Sequence, residues 1–141
     1  MNIRCSLKVL AFYAIVFCAF VRLYAADPSA AERKEQTVKH VDAKQAEKLV
    51  SEHKVIVLDI RTPEEFKSGH IAGATNVDFN APDFEETINS LSKTNAYLVH
   101  CAVGGRSTRS LKLFVKHQFE SIYHLDGGIE AWEKADLPTE K

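Results

Sequence analysis

Residues 97–107 constrain the fold more than any other part of the sequence. An apolar run ends at Cys101, Gly104 and Gly105 follow with Arg106, and a helical pattern begins at Ser107. A strand, a tight loop and a helix in this order direct backbone N–H groups and the positive helix end toward the space above the loop. A cysteine thiol in that place ionises more easily than a free one. The pattern therefore predicts that Cys101 is a nucleophile.

The rest of the chain alternates between strand and helix patterns. Residues 55–60 form a nearly unbroken apolar run rich in β-branched side chains, which is typical of a parallel strand buried on both faces. Thr62, Pro63 and Glu65 have the spacing of a helix start with a capping box. Further strands are predicted at 38–41, 75–77, 96–100 and 121–125, and further helices after Asp42, after Asp83, from Ser107 and after Gly128. This alternation predicts an α/β domain with a parallel sheet covered by helices on both sides.

The N-terminal residues have the pattern of an export signal. Arg4 and Lys8 precede a run at 9–21 that carries no charge, and Ala25 and Ala26 offer small residues for a peptidase. The run is too short for a membrane span and matches the apolar core of a signal peptide. We therefore expect a signal peptide at 1–26, a polar linker at 27–37 and the domain at 38–139. The protein is expected to be exported to the periplasm and to have no stable membrane association once the signal peptide is cleaved. The alternative is that the segment remains as an N-terminal membrane anchor.

Charge and cysteine content change if this leader is removed. The loss of three basic residues and no acid takes the formal net charge from -1 to about −4, which gives no reason to expect a nucleic-acid partner. Cys5 and Cys18 are lost as well, so Cys101 remains as the one thiol. A single thiol cannot form an internal disulfide. The alternative, a buried inert cysteine, is disfavoured by the glycines and the arginine that follow it.

Four segments in order resemble the rhodanese-like sulfurtransferases. They are residues 58–66 (LDIRTPEEF), 69–74 (GHIAGA), 101–106 (CAVGGR) and 125–132 (LDGGIEAW). The resemblance implies a three-layer α/β/α fold with a five-stranded parallel sheet. It also implies that Cys101 takes the outer sulfur of a small donor such as thiosulfate as a persulfide and passes it to cyanide or a thiol, without a cofactor. The persulfide-stabilising loop would consist of Ala102, Val103, Gly104, Gly105 and Arg106.

Two details of the loop bear on its chemistry. Four residues separate Cys101 from Arg106, whereas the cysteine phosphatases and arsenate reductases that this fold resembles use five. The shorter loop favours sulfur over phosphorus. Many thiosulfate-using members have a basic residue directly after the cysteine, where this chain has Ala102. A non-catalytic persulfide carrier therefore remains an alternative, and a phosphatase or arsenate reductase is a less favoured one.

For the other polar residues, a structural role competes with a functional one. Asp59 and Arg61 follow a predicted parallel strand, where α/β sites form, so they either line the pocket or form an ion pair, which we favour. His100 either packs in its strand or tunes Cys101. The remaining histidines have no metal-ligand spacing, so no metal is predicted; the scattered ones are His40, His53, His117 and His124.

Overall fold

A computed structural model describes residues 36–141, so the predicted leader and the linker up to residue 35 lie outside the described residues. Five strands form one parallel sheet: β1 (Thr37–Val41), β2 (Ile56–Asp59), β4 (Thr75–Asn76), β5 (Ala96–His100) and β6 (Ser121–Leu125). Their order is β1-β6-β5-β2-β4. Two further short strands, β3 (His70–Ile71) and β7 (Thr139–Glu140), pair with each other in antiparallel fashion.

Helices cover both faces of the sheet. They are α1 (Ala43–Ser51), α2 (Pro63–Ser68), α3 (Phe84–Ser90), α4 (Gly105–Lys116) and α5 (Gly128–Lys134). Neighbouring residues of β5 enter different hydrophobic clusters: Val99 packs with Phe114 of α4, and Leu98 packs with Trp132 of α5. This is the period-two alternation of a strand buried on both faces. The predicted three-layer α/β/α fold with a five-stranded parallel sheet is confirmed.

Local signals explain where the helices begin. The Thr62 hydroxyl accepts a hydrogen bond from the Glu65 N–H, and the Glu65 carboxylate accepts one from the Thr62 N–H, so the predicted capping box is present. Asp42 and Gln45 form a second capping box at α1. Asp83 stands at the start of α3, as expected, but its side chain makes no capping hydrogen bond.

The structure differs from the sequence-based expectations at two places. Helix α4 begins at Gly105 rather than Ser107, because Gly104 has a left-handed φ of 97° and turns the chain directly into the helix. No strand was predicted around residue 70, where the structure has β3, whose residues pair with Thr139 and Glu140 beyond Pro138. Two-residue strands are too short to produce a periodic pattern. Within residues 36–141, no helix has the length and apolar character needed to cross a membrane.

Candidate functional site

Cys101 lies immediately after β5, at the carboxyl end of a central strand, and only 1% of its surface is exposed. Its Sγ accepts a hydrogen bond from the Gly104 N–H at 3.2 Å and one from the Ser107 hydroxyl at 3.5 Å. Both donors come from the tight loop and the first turn of α4. The sulfur is therefore buried in a cradle of hydrogen-bond donors, which suits an anion.

Opposing effects set the pKa of the Cys101 thiol. Burial raises it, but hydrogen bonds from the Ser107 hydroxyl and from the backbone N–H groups of Ser107, Gly104 and Arg106 together lower it below its ordinary value. The direction is the one predicted from the strand–loop–helix pattern. Since the thiolate is the reactive form of cysteine, the loop increases the fraction of nucleophile at a given pH.

Ser107 connects the loop to the sheet. Its hydroxyl lies 3.0 Å from the Gly104 carbonyl oxygen and 2.9 Å from Nε2 of His124, a buried residue of β6. One hydroxyl proton cannot serve the sulfur, the carbonyl and the imidazole at once. Which ring nitrogen of His124 carries the hydrogen therefore influences whether Ser107 donates to Cys101. The sequence pattern predicts Ser107 at the start of the helix but does not indicate that its hydroxyl belongs to the site.

The first turn of α5 holds the beginning of the loop. The N–H of Ile129 donates to the Cys101 carbonyl at 2.9 Å, and the N–H of Glu130 donates to the Ala102 carbonyl at 3.1 Å. Gly128 has a φ of 60°, and a Cβ added there would overlap the Cys101 carbonyl oxygen and lie 2.5 Å from that of Ala102. Glycine is therefore required at position 128 for helix α5 to approach the loop.

The remaining loop residues lie in different environments. Gly104 is buried, Ala102 is partly buried and Val103 is 59% exposed. The Arg106 guanidinium forms a bidentate ion pair with the Glu65 carboxylate, with N···O distances of 2.6 and 2.7 Å. Hydrogen bonding to Arg106 is the main reason that the pKa of Glu65 falls to about 2. Arg106 is part of the predicted persulfide-stabilising loop, and its contact with Glu65 balances its positive charge.

Asp59 and Arg61 form the ion pair that we favoured over a pocket role. The Arg61 Nη2 lies 2.6 Å from the Asp59 Oδ2 and donates to the Gly69 carbonyl at 2.6 Å, and both charged side chains are buried. A bidentate pair of this kind leaves little capacity for a further ligand. A role of these two residues in the pocket stays a prediction.

His100 faces the backbone rather than the sulfur. Its Nδ1 lies 3.2 Å from the Cys101 carbonyl oxygen, and its Nε2 lies 3.7 Å from the Asp59 Oδ2. Burial lowers the pKa of His100 more than the Asp59 carboxylate raises it. The ring is therefore neutral near pH 7 and can donate to the carbonyl from Nδ1. It supports the chain at the point where the strand becomes the loop.

The pairing of strands β1 and β6 brings together a cluster of two histidines and an aspartate that their positions in the sequence did not indicate. His40 of β1 and His124 of β6 are directly opposite in the sheet register, and Asp126 follows β6. In the linear sequence 84 residues separate these two histidines, so their spacing gives no sign of the contact. The order β1-β6, which no local pattern encodes, places them side by side.

Comparison with known proteins connects these features to one family. The family model for the rhodanese-like domain matches residues 42–135, which include Cys101, the loop that follows it and the Gly127–Gly128 turn. The chain belongs to the rhodanese-like family. Its rhodanese-like domain is similar to rhodanese-like domain-containing protein 17 of Arabidopsis thaliana, with 32% identity over 148 aligned positions that cover 95% of this chain and 91% of that protein.

One further relative carries an activity in its name. Thiosulfate sulfurtransferase 16 of Arabidopsis thaliana is 37% identical over 92 residues, covering 58% of this chain and 77% of that protein. Among solved structures, a rhodanese-related protein from Thermoplasma volcanium superposes with a TM-score of 0.65 at 25% identity, covering 72% of this chain and 97% of that one. The resemblance seen in the four sequence segments is thus confirmed at the level of family and fold.

Proposed function

We propose that this rhodanese-like domain is a sulfurtransferase that carries sulfane sulfur on Cys101. The observation that carries the proposal is the Cys101 sulfur, buried at the end of β5 and accepting hydrogen bonds from Gly104 and Ser107. Donors of this kind stabilise a thiolate, and they equally stabilise the terminal anionic sulfur of a persulfide or a developing negative charge. The name of one relative, thiosulfate sulfurtransferase 16 of Arabidopsis thaliana, agrees with this chemistry.

The proposed reaction has two displacement steps. The Cys101 thiolate attacks the outer sulfur of thiosulfate; a new S–S bond forms, the original S–S bond breaks, and sulfite leaves with its electron pair. Cyanide or an acceptor thiolate then attacks the terminal sulfur of the persulfide. The bond between the two sulfurs breaks, its electron pair returns to Cys101, and the product is thiocyanate or a new persulfide. The loop N–H groups are positioned to stabilise negative charge in both steps.

A second candidate function is a non-catalytic persulfide carrier. Two features favour it over turnover with a dianionic donor: position 102 holds alanine instead of a cation, and the Arg106 charge is balanced by Glu65 at 2.6 Å. Both reduce the positive potential at the loop. A carrier would accept sulfur slowly from solution and deliver it to a protein partner. A phosphatase or arsenate reductase is disfavoured by the length of the loop between Cys101 and Arg106.

Steady-state turnover tests the proposal. Protein in which Cys5 and Cys18 are replaced by serine should form thiocyanate from thiosulfate and cyanide, and Cys101→Ser in that background should reduce the rate to the uncatalysed level. Unchanged turnover in Cys101→Ser would contradict the assignment. A persulfide that forms without turnover would instead identify the carrier. Hydrolysis of an aryl phosphate that depends on Cys101 would favour the phosphatase alternative.

A further inference from the structure

The strongest unassigned feature is a cluster of three side chains where β1 and β6 end. The His40 Nδ1 and the His124 Nδ1 are 3.3 Å apart. The Asp126 Oδ1 lies 2.7 Å from the His40 Nδ1 and 3.0 Å from the His124 Nδ1. Three atoms that can each coordinate a cation thus converge on one small space, and a sulfurtransferase reaction at Cys101 does not use them.

The strand pairing explains why the three atoms meet. His40 and His124 are partners in the parallel register of β1 and β6, so their side chains leave the same face of the sheet. Their ring centroids are 4.8 Å apart. The backbone N–H of Asp126 donates to the Val41 carbonyl at 2.9 Å, which continues the pairing by one residue and holds the carboxylate beside the rings.

The distances suit a small divalent cation. For a metal about 2.1 Å from each Nδ1, the two metal–nitrogen bonds would form an angle of about 104°, because the nitrogens are 3.3 Å apart. This angle is close to tetrahedral. With the carboxylate oxygen at about 2.0 Å, the angles to the two nitrogens would be about 80–95° for separations of 2.7 and 3.0 Å, so the exposed Asp126 side chain would move outward to complete a tetrahedral site. Two imidazoles and one carboxylate form a donor set that zinc and its first-row neighbours prefer over calcium or magnesium.

Hydrogen bonds among these three side chains cannot satisfy all three atoms at once. If only one Nδ1 carries a proton, the lone pair of the other ring faces the Asp126 oxygen at 3.0 Å or less. If both carry protons, two N–H groups compete for the same oxygen and face each other at 3.3 Å. A cation in the middle meets all three lone pairs at once, so both neutral rings and the carboxylate act as ligands.

We propose that His40, His124 and Asp126 form a binding site for Zn²⁺ or a similar first-row divalent ion. The side chains of His40 and Asp126 are 54% and 56% exposed, whereas that of His124 is 3% exposed. The ion therefore has one buried ligand that fixes its position and two ligands through which it enters from solvent. Three protein ligands leave a coordination position for water or for a ligand from a partner.

The site adjoins the nucleophile through a single side chain. The His124 Nε2 lies 2.9 Å from the Ser107 Oγ, which in turn lies 3.5 Å from the Cys101 Sγ. A metal on Nδ1 requires the ring proton on Nε2, which then donates to Ser107. The Ser107 hydroxyl proton is thereby released from His124 and can be directed to the sulfur.

Cobalt binding tests the proposal independently of sulfur transfer, because Co²⁺ ligated by a protein in tetrahedral geometry absorbs visible light. Untagged full-length protein carrying Cys5→Ser and Cys18→Ser is titrated with Co²⁺. We expect saturation at one equivalent and displacement by Zn²⁺. His40→Ala and Asp126→Asn should each weaken binding at least about tenfold. Both should fold, because each side chain is more than half exposed.

Two controls make the result specific. His53→Asn removes an exposed histidine outside the cluster, and asparagine tolerates the φ of 52° found there, so binding should be unchanged. Cys101→Ser should also bind Co²⁺ as the parent does. The proposal is overturned if the parent shows no visible absorption, if His40→Ala and Asp126→Asn bind as tightly as the parent, or if Cys101→Ser abolishes binding.

Discussion

The carboxyl ends of β2 and β5 are neighbours in the sheet, with Asp59 and His100 paired in register, yet they hold their charges differently. At the end of β2, the Asp59 carboxylate is paired with the Arg61 guanidinium 2.6 Å away. At the end of β5, the Cys101 sulfur is held by hydrogen bonds from Gly104 and Ser107. The first arrangement is an ion pair with a fixed partner, and the second is a set of donors around one reactive atom.

This difference shows that position in a parallel sheet does not by itself define a functional residue. A buried carboxylate that is already paired bidentately gains little from a new ligand, and its loss exposes the partner charge. A thiolate held by N–H groups can acquire a sulfur atom and keep the same donors. We therefore expect the end of β2 to contribute to stability and the end of β5 to carry the proposed chemistry.

Breaking the Asp59 pair should give the largest effect on stability. Asp59→Asn leaves the buried Arg61 guanidinium without its counter-charge, and we expect the free energy of unfolding in urea to fall by about 3–5 kcal/mol. Cys101→Ser should change it by no more than about 1 kcal/mol while abolishing turnover. As a control, Glu52→Gln disrupts the exposed pair with Lys54 and should leave the urea midpoint unchanged. A stable Asp59→Asn protein that had lost activity would instead place Asp59 in the chemistry.

Two matched glycine substitutions test whether the close approach of α5 supports the loop. Gly128→Ala and Gly73→Ala both place a side chain at positive φ, with values of 60° and 73°, but only Gly128 lacks space for a Cβ. We expect Gly73→Ala to cost about 1 kcal/mol of unfolding free energy, and Gly128→Ala to cost more and to reduce turnover by displacing Cys101. Equal effects in urea unfolding and turnover would show that the close approach of α5 to the loop is unimportant.

The hydrogen bond from Ser107 should produce a smaller and more specific effect. Ser107→Ala removes a donor that lowers the pKa of Cys101, so the pH profile for alkylation should move to higher pH. Below the thiol pKa the rate should fall about three- to tenfold, and above it the two proteins should converge. Ser110→Ala removes another buried hydroxyl of α4, one that bonds the Ser107 carbonyl, and should leave the profile unmoved. An identical shift in both variants would assign the effect to the helix as a whole.

Features with a local cause were predicted from the sequence. The β-branched run around residue 57, the strands at 96–100 and 121–125, and the Thr62–Glu65 capping box all depend on residues close together in the chain, and the structure reproduces them. The glycine loop after Cys101 also has a local signature. Its length and its place after a strand were enough to indicate a thiol cradled by N–H groups.

Individual contacts between distant residues were not predicted. Glu65 and Arg106 are 41 residues apart, and neither residue type nor spacing indicates that the capping carboxylate also binds the loop arginine. The His40–His124 contact follows from the strand order β1-β6, and the short pairing of β3 with β7 leaves no periodic pattern. These contacts depend on the register between strands or on the meeting of distant loops, which only the assembled fold determines.

Intact mass spectrometry tests the central claim most directly. Protein carrying Cys5→Ser and Cys18→Ser is incubated with thiosulfate or a small persulfide and weighed without reductant. We predict a gain of one sulfur atom, its removal by cyanide, and no gain after the further substitution Cys101→Ser. If neither donor adds sulfur to the parent, or if Cys101→Ser gains the same mass, Cys101 is not the sulfur carrier and the account is wrong.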